Sequence, residues 1–241
     1  MLSIVATPIG NLEDITLRAI RTLKEADFVV AEDTRHSGLL LKKYEINKPQ
    51  ISFHSHSNEE QLHRLLGLLR EGKNLALVSD AGTPGISDPG FLLIDNAIKN
   101  GIRVTVIPGP SAVITAVVAS GLPCHRFTYL GYLPLKKGRK RMIESLKESQ
   151  YTTVLYEAPH RLMKALNEIF SILGDRQIAV CREMTKIFEE VFRGTVSQAI
   201  AHFEKNKPRG EFTLVLGSQA SLLSNNEYDN MASSNLGSLD K

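Results

Sequence analysis

Short apolar runs alternate with longer segments of helical spacing in the first half of the chain. Each apolar run predicts a buried parallel strand, because strands that are covered on both faces of a sheet are almost continuously apolar. The runs are Leu2–Ala6, Phe28–Ala31, Ile51–His54, Leu75–Val78 and Val104–Ile107. The segments between them carry apolar residues with the spacing of amphipathic helices. The alternation therefore predicts a mostly parallel α/β sheet with helices on both faces.

This pattern ends at Gly121–Cys124, where we predict a domain boundary. Strands are predicted beyond it at Phe127–Leu133, Thr152–Tyr156, Ile178–Cys181, Glu189–Phe192 and Phe212–Leu216. Helices are predicted around Met142–Leu146, His160–Leu173 and Val196–Phe203. No long helix separates the strands near Cys181 and Val191, which favours a mixed sheet with antiparallel pairs. We therefore predict an N-terminal α/β domain (residues 1–122), a C-terminal mixed α/β domain (123–217) and a disordered Ser/Asn-rich tail (218–241).

Composition is that of an ordinary soluble globular protein. Of the 241 residues, 42% are hydrophobic and 23% charged, and the net charge of +3 permits an anionic partner without arguing for one. The two cysteines, Cys124 and Cys181, imply no disulfide framework and favour a reducing cytoplasm. The uncharged stretch from Val104 to Cys124 is interrupted by Pro108–Gly109–Pro110, so we expect a buried strand and helix there and no membrane span.

The loop Ser79–Gly90, after the fourth strand, is the richest candidate for a ligand site. Ligands of open α/β sheets bind beyond the carboxyl ends of the strands. Gly82, Gly85 and Gly90 allow a positive φ or a close backbone approach, and Asp80 and Asp88 offer acceptors for hydroxyl or amine groups. The alternative is an ordinary turn in which Asp88 caps the next helix.

Other strands of the first half also end in polar or glycine- and proline-rich loops, which should open on the same edge of the sheet. These loops are Thr7–Leu12, Glu32–His36 and Pro108–Ala112. Further along, Ser57 and Glu60 have the spacing of a capping box and predict the start of a helix.

Several common site signatures are missing. Gly67–Lys73 has Walker spacing but precedes a strand instead of following one. No G-x-G-x-x-G occurs, which disfavours ordinary dinucleotide folds and the common glycine-rich methyltransferases. His54 and His56 are distant in sequence from both cysteines, so we interpret them as loop histidines and predict no metal site. No Ser–His–Asp arrangement or nucleophile elbow stands out.

The strongest cluster of positive charge consists of Lys136, Lys137, Arg139, Lys140 and Arg141. A solvated surface helix often carries such a run. The alternative is a clamp on an RNA phosphate backbone, which would make binding sensitive to salt.

Six ordered motifs make the chain similar to the bacterial small-subunit rRNA methyltransferase I family of the tetrapyrrole methylase superfamily. The motifs are Thr7–Leu12, Ala31–Gly38, Ser79–Gly90, Ile107–Ala112, Tyr156–Arg161 and Cys181–Lys186, and the resemblance runs from Met1 to about Leu216. It implies a two-domain fold that binds S-adenosylmethionine in a cleft between the domains, usually as a homodimer. It also implies 2′-O-methylation of a cytidine ribose in the decoding region of 16S rRNA, without a metal.

The same resemblance assigns cofactor contacts, carried over motif by motif. They would be Pro8, Asp80, Ala81, Gly82, Thr83, Ser111, Ala112 and Tyr156. A ribose hydroxyl is a poor nucleophile, so a base or a cation near the forming alkoxide would help the transfer. The catalytic candidates are Glu32, Asp33, Arg35 and His36 at the end of the second strand, with Glu183 and Lys186 as weaker ones.

Two other functions stay open. An enzyme of the same superfamily would methylate a tetrapyrrole or a modified protein side chain. A non-catalytic ribosome-assembly factor would bind 16S rRNA or the small ribosomal subunit without consuming cofactor. The basic segment favours an RNA partner, because a tetrapyrrole methylase has little use for it.

Overall fold

The structure is a computed structural model that describes residues 1–54 and 57–219. His56 and, from Ala220 on, the predicted tail lie outside the described residues. The chain divides into two compact units, the first covering Met1–Ala112 and the second starting at Val113. The division comes earlier in the chain than the boundary that we predict after Leu122.

The first unit is built on a five-stranded parallel sheet with the strand order β3-β2-β4-β1-β5. Its strands are β1 (Leu2–Val5), β2 (Phe28–Ala31), β3 (Gln50–Ser52), β4 (Leu75–Val78) and β5 (Val104–Ile107). Its helices are α1 (Leu17–Glu25), α2 (Thr34–Lys43), α3 (Glu59–Arg70) and α4 (Gly90–Lys99), and a short 3₁₀ turn covers Leu12–Asp14. The predicted parallel sheet is confirmed.

Both faces of this sheet are covered by helices, which explains why its strands are apolar at successive positions. In β2, Val29 and Ala31 pack in a core with residues of α1 and α2. Val30, between them, packs on the opposite face with leucines of α3 and α4 such as Leu65 and Leu93. Successive side chains of a strand point to opposite faces, so a strand covered on both sides needs apolar residues throughout.

The predicted capping box at the start of α3 is wrong. Asn58 is the N-cap, and its side chain accepts a hydrogen bond from the Gln61 N–H at 3.0 Å. The Ser57 hydroxyl instead accepts from the His54 N–H at 2.8 Å. Asparagine caps helices at least as well as serine does, and its position sets the first helical residue one place later.

The second unit contains a mixed sheet with the strand order β6-β7-β10-β8-β9, which confirms the predicted mixture. Its strands are β6 (Phe127–Tyr132), β7 (Thr152–Glu157), β8 (Gln177–Arg182), β9 (Glu190–Thr195) and β10 (Phe212–Leu216). Strands β6 and β7 are parallel, and the remaining pairs are antiparallel. The helices are α5 (Ala112–Ser120), which begins one residue before this unit, α6 (Arg139–Glu144), α7 (Pro159–Leu173) and α8 (Val196–Lys205).

One face of the second sheet carries the core of this unit. Leu155, Val180 and Leu214 lie on neighbouring strands and pack with apolar residues of α7 and α8. On the opposite face α5 meets β9, where the Arg193 guanidinium donates to the Ala119 carbonyl oxygen at 2.9 Å. No helix in the described part of the chain is long and apolar enough to cross a membrane.

Candidate functional site

The loops after β1 and β4 are joined by their backbones. The Thr7 N–H donates to the Gly82 carbonyl oxygen at 2.9 Å, and the Gly82 N–H donates to the Thr7 carbonyl oxygen at 3.0 Å. The Thr7 hydroxyl also donates to the Ser79 carbonyl oxygen at 3.1 Å. These bonds fix the start of the Ser79–Gly90 loop beside Pro8, which is buried.

The loop after β5 reaches the same edge of the sheet. A Cβ atom at Gly82 would lie 3.8 Å from the Pro110 carbonyl oxygen, and one at Gly109 would lie 3.0 Å from the Ala6 Cβ. Gly109 therefore allows this loop to lie close against the end of β1. Ser111 and Ala112, which follow at the start of α5, are half-buried. The structure thus brings Pro8, Gly82 and Ser111 to one edge, as predicted for parallel strand ends.

Asp88 folds the Ser79–Gly90 loop back on itself. Its carboxylate accepts from the Gly85 N–H at 2.8 Å and from the N–H of Gly90, the first residue of α4, at 2.7 Å. Gly82 has a φ of +77° and Gly85 a φ of +91°, a backbone conformation that residues other than glycine rarely adopt. Gly82 and Gly85 thus take the positive φ that we considered for the glycines of this loop, whereas Gly90 does not, and Asp88 has a structural role in the loop.

Asp80 links the loop to the end of β2. Its Oδ1 atom accepts from the Asp33 N–H at 3.2 Å, and the side chain is half-buried. Ala81 next to it is exposed, and Thr83 is half-buried. Asp80 therefore connects the loop that we predict to bind a ligand with the end of β2, where the catalytic candidates lie.

Four carboxylates gather at this edge: Glu32, Asp33, Asp80 and Asp88, which we call the acidic edge. Burial raises the pKa of Glu32, and the negative charges of Asp80 and Asp88 raise it further. The imidazole of His54 acts in the opposite direction but is outweighed. A half-buried carboxyl surrounded by like charges takes up a proton more readily than one in water, as a general base must.

The other catalytic candidates differ from Glu32 in their surroundings. Asp33 caps α2, accepting from the Arg35 N–H at 2.8 Å, and also pairs with the Arg35 guanidinium at 2.7 Å. These bonds hold the pKa of Asp33 far below its usual range. The Arg35 side chain is 90% exposed, and His36 is exposed as well. Glu32 is therefore the candidate best suited to accept a proton.

No group of three or more His, Cys, Asp or Glu side chains within residues 1–54 and 57–219 is arranged to hold a metal ion. The described carboxylates of the acidic edge therefore do not form such a group, although they lie near one another.

The basic segment of the second unit is split by the structure. Lys136, Lys137, Lys140 and Arg141 are exposed, whereas Arg139 is only 4% exposed. Its Nε atom lies 2.5 Å from Glu168 Oε2 and its Nη1 atom 3.4 Å from Glu157 Oε2.

This placement changes the assignment of Arg139. A phosphate contact would require breaking both of its ion pairs, so we remove it from the predicted RNA-binding residues. Ile143, one helical turn further along α6, is fully buried, and this spacing indicates the buried face of the helix.

Arg161 completes a buried ion network with Arg139, Glu157 and Glu168. Its Nε atom lies 3.2 Å from Glu157 Oε1. Arg161 also donates to the carbonyl oxygen of Leu133, and Arg139 donates to that of Pro134 at 3.3 Å. The network therefore fixes the start of the segment Leu133–Gly138, which we call the basic loop because it carries Lys136 and Lys137.

The weaker candidates of the second unit are bound to each other. Lys186 Nζ lies 3.0 Å from Glu183 Oε1 and 2.7 Å from Glu211 Oε2. Burial opposes ionisation of both groups, but the hydrogen bonds outweigh it, so the pKa of Glu183 is lowered and that of Lys186 is raised. This arrangement stabilises both charged forms and makes neither residue a ready proton acceptor or donor.

Comparisons with known proteins agree on one class. The family of tetrapyrrole (corrin/porphyrin) methylases matches residues 1–200. A Thermotoga maritima protein named ribosomal RNA small subunit methyltransferase I is 51% identical, over 89% of this chain and 97% of that relative. The chain belongs to the ribosomal RNA small subunit methyltransferase I family, within the tetrapyrrole methylases.

Solved structures show the same fold at low sequence identity. A cobalt precorrin-4 methyltransferase superposes with a TM-score of 0.69 at 20% identity, over 90% of this chain and 94% of the other. Diphthine synthase gives a TM-score of 0.70 at 16% identity, over 90% and 89% of the two chains. The chain thus shares the fold of these two proteins, and its substrate must be argued from other features.

Two residues of this member of the methyltransferase I family were missed from the sequence. Thr7 joins two loops by its backbone and hydroxyl, and no pattern in the sequence indicates that pairing. Tyr132 packs against Tyr156 with ring centroids 5.5 Å apart, although strand alternation from Tyr129 would place it on the other face. Gly131 lies between Tyr129 and Tyr132 in the sequence and has a φ of +65°. A glycine inside a strand was the available signal of an irregularity.

Proposed function

We propose that the chain transfers a methyl group from S-adenosylmethionine to the 2′-oxygen of a cytidine ribose in the decoding region of 16S rRNA. Its family consists of methyltransferases, and relatives such as the Thermotoga maritima protein are named for the small-subunit ribosomal RNA. The observation that carries the choice of donor is the acidic edge beside the joined loops after β1 and β4. The RNA acceptor rests on the family and on the basic loop.

The chemistry of the acidic edge suits a cationic donor. When bound, S-adenosylmethionine supplies an electrophilic methyl group on a positively charged sulfonium. Mutual repulsion among Glu32, Asp80 and Asp88 would be relieved by a positive charge placed beside them. Carboxylate oxygens of the acidic edge can also accept hydrogen bonds from the ribose hydroxyls and the amine of such a donor.

We assign the donor site to the residues at this edge that lie on the loops after β1, β4 and β5. They are Pro8, Asp80, Ala81, Gly82, Thr83, Ser111 and Ala112. Asp80 is the polar anchor of this set, because its carboxylate is half-buried and one of its oxygens is already oriented by the Asp33 N–H. Tyr156, in the second unit, remains assigned to the donor by resemblance.

The assignment of Asp80 is tested by calorimetry with S-adenosylmethionine. Asp80→Asn should weaken binding roughly 10- to 100-fold, as expected for loss of a hydrogen bond to a charged group. Asp95→Asn is the matched control, because Asp95 forms an exposed pair with Lys99 at 2.6 Å on α4. Equal affinities for the two variants would contradict the donor site.

Glu32 is proposed as the general base. As the methyl–sulfur bond breaks and the methyl–oxygen bond forms, the proton of the ribose hydroxyl passes to the Glu32 carboxylate. Its raised pKa makes this carboxylate a better proton acceptor than Asp33, whose pKa is lowered by Arg35. A ribose hydroxyl also distinguishes RNA from DNA, which lacks the acceptor atom.

The exposed cations of the second unit are proposed to bind RNA phosphates. Lys136, Lys137, Lys140 and Arg141 are exposed, although Lys140 also lies 3.8 Å from Glu144. Binding through such cations releases counterions, so it should weaken steeply as salt rises. A small-subunit substrate also implies a cytoplasmic enzyme.

The decisive experiment is tritium transfer from labelled S-adenosylmethionine to small-subunit particles that lack the modification. The label should enter 16S rRNA, and mapping should place it on the 2′-oxygen of one cytidine. Transfer of the label to a tetrapyrrole or a protein would instead support the activity of another enzyme of the superfamily. Particle binding without turnover would support an assembly factor instead.

A homodimer is proposed as the resemblance implies. Two apolar side chains at one border of the first sheet support it, since Leu17 is 87% exposed and Val106, on the edge strand β5, is 54% exposed. The neighbour of Leu17, Arg18, donates to the Val106 carbonyl oxygen at 3.3 Å, which links the start of α1 to β5. Sedimentation equilibrium should give twice the mass of one chain, and Val106→Asp should give a single chain.

A further inference from the structure

An irregularity in β6 turns Tyr132 toward Tyr156. Tyr129 pairs with Val154 and Tyr132 with Tyr156, so three steps along β6 match two along β7. Gly131, inside this interval, has a φ of +65°, which lets the chain accommodate the extra residue. Because side chains alternate along a strand, the extra residue moves Tyr132 from the helix-covered face to the face that Tyr129 and Tyr156 occupy.

Tyr129, Tyr156 and Tyr132 form an aromatic cluster in which Tyr132 is the exposed ring. The rings of Tyr129 and Tyr156 have centroids 5.3 Å apart and planes at 71°, and those of Tyr132 and Tyr156 have centroids 5.5 Å apart at 56°. Tyr156 is half-buried, whereas Tyr132 is 52% exposed. The Tyr156 ring therefore packs against Tyr132 while a large part of Tyr132 remains open to solvent.

The basic loop begins directly after this ring. Leu133 and Pro134 are held through their carbonyl oxygens by Arg161 and Arg139 of the buried ion network. Lys136 and Lys137 follow within five residues of Tyr132, and both are exposed. The exposed ring of Tyr132 is thus followed in the chain by two exposed lysines on a segment whose start is fixed by the buried ion network.

We propose that Tyr132 is a stacking platform for an unpaired nucleobase of the RNA substrate, with the neighbouring phosphates bound by Lys136 and Lys137. This inference rests on the proposed function for its RNA ligand. Proteins that bind single-stranded RNA combine aromatic side chains, on which bases stack, with cations that follow the backbone. Bulges that redirect a side chain are over-represented beside active sites, which agrees with this role for Gly131.

A tryptophan reporter tests the platform directly, because the chain contains no tryptophan. Tyr132→Trp places the single indole at the platform, and Tyr151→Trp places it on another half-exposed tyrosine of the same unit, 40% exposed. A short single-stranded RNA should quench the first indole and leave the second unchanged. Inorganic polyphosphate, which offers phosphates without bases, should quench neither.

Three results would overturn the platform. They are no quenching of Tyr132→Trp by RNA, equal quenching by polyphosphate, or quenching by S-adenosylmethionine alone, which would place Tyr132 at the donor. Quenching by RNA in a protein that transfers no methyl group to RNA would instead count against the proposed function. The two ideas can therefore fail separately.

A kinetic comparison separates stacking from a structural role. Tyr132→Ala should raise KM for RNA roughly 5- to 150-fold, the range found when a stacking residue is removed. Tyr132→Phe keeps the ring and should restore the parent KM, and neither variant should change affinity for S-adenosylmethionine. Loss of the folded state in Tyr132→Ala, or an unchanged KM with normal folding, would both contradict the platform.

Discussion

Glu157 of the second unit and Glu32 of the first unit are carboxylates in opposite charge environments. In the second unit, Glu157 is fully buried, but Arg139 and Arg161 both pair with it. In the first unit, Glu32 is only half-buried, and the charges of Asp80 and Asp88 act against its ionisation. The more deeply buried carboxylate is thus the one with nearby cations.

This difference distinguishes a carboxylate with a structural role from one with a functional role. A buried charge that is fully paired holds its neighbours in place, and removing one partner leaves the other uncompensated. Like charges gathered at a sheet edge weaken the fold, so their presence points to a ligand or a reaction that uses them. The four predictions below are ordered by the size of the expected effect.

Glu32→Gln should reduce kcat roughly 10²- to 10⁴-fold, because the amide cannot accept the proton of the ribose hydroxyl. In the parent enzyme the rate should fall as pH drops through the raised pKa of Glu32, since the protonated carboxyl is inactive as a base. The variant should lose this acidic limb. Single-turnover methyl transfer measured across pH checks both expectations.

Asp33→Asn is the matched control for Glu32. Asp33 caps α2 and pairs with Arg35, and asparagine caps helices about as well as aspartate. This neighbouring variant should therefore keep most of its activity and its acidic limb. A larger loss of activity in Asp33→Asn than in Glu32→Gln would show that Asp33, and not Glu32, acts as the base.

Arg139→Met should destabilise the second unit by about 3–5 kcal/mol, because it keeps the apolar stem but leaves Glu157 and Glu168 without this cation. Chemical denaturation followed by circular dichroism measures the loss. Lys140→Ala, at the next position of α6, removes an exposed cation 3.8 Å from Glu144 and should cost less than about 1 kcal/mol. Similar losses of stability in both variants would contradict the expectation that a buried, paired cation stabilises the unit more than an exposed one.

Much of the fold was predictable because pattern and packing agree. The strands of the first unit are continuously apolar since both faces are covered, and this pattern is visible without coordinates. The loops at their ends were predictable as a group, because parallel strands bring their carboxyl ends to one edge. The capping of α3 was not, since Ser57 and Asn58 are both good caps and the sequence does not show that the Ser57 hydroxyl bonds the His54 N–H instead.

The site was less predictable than the fold. Arg139 and Lys140 look alike in a run of positive charges, and only the position of each on α6 makes one buried and the other exposed. Tyr132 was missed because a single extra residue in β6 reverses the alternation that assigns side chains to faces. Both depend on the partners of a segment, which a single sequence does not display.

Replacing Lys136 and Lys137 together with alanine should make RNA binding less dependent on salt. Removing two phosphate contacts should lower the slope of log affinity against log salt by about 1.4 for a single strand. Lys42→Ala with Lys43→Ala, an exposed adjacent pair at the end of α2, is the matched control and should leave the slope unchanged. Fluorescence anisotropy with labelled RNA at several salt concentrations gives both slopes.

The smallest expected effect is a gain in stability from Glu32→Gln. A carboxyl whose pKa is higher in the folded chain than in the unfolded chain weakens the fold once it ionises, so removing its charge stabilises the protein at neutral pH. The gain should stay below about 1 kcal/mol, because solvent screens a half-exposed charge. It should shrink as pH falls and vanish below about 4.3, where the carboxyl is protonated in both states. Thermal unfolding at neutral and acidic pH measures it, and a loss of stability at neutral pH would show that Glu32, like Glu157, is held by favourable partners.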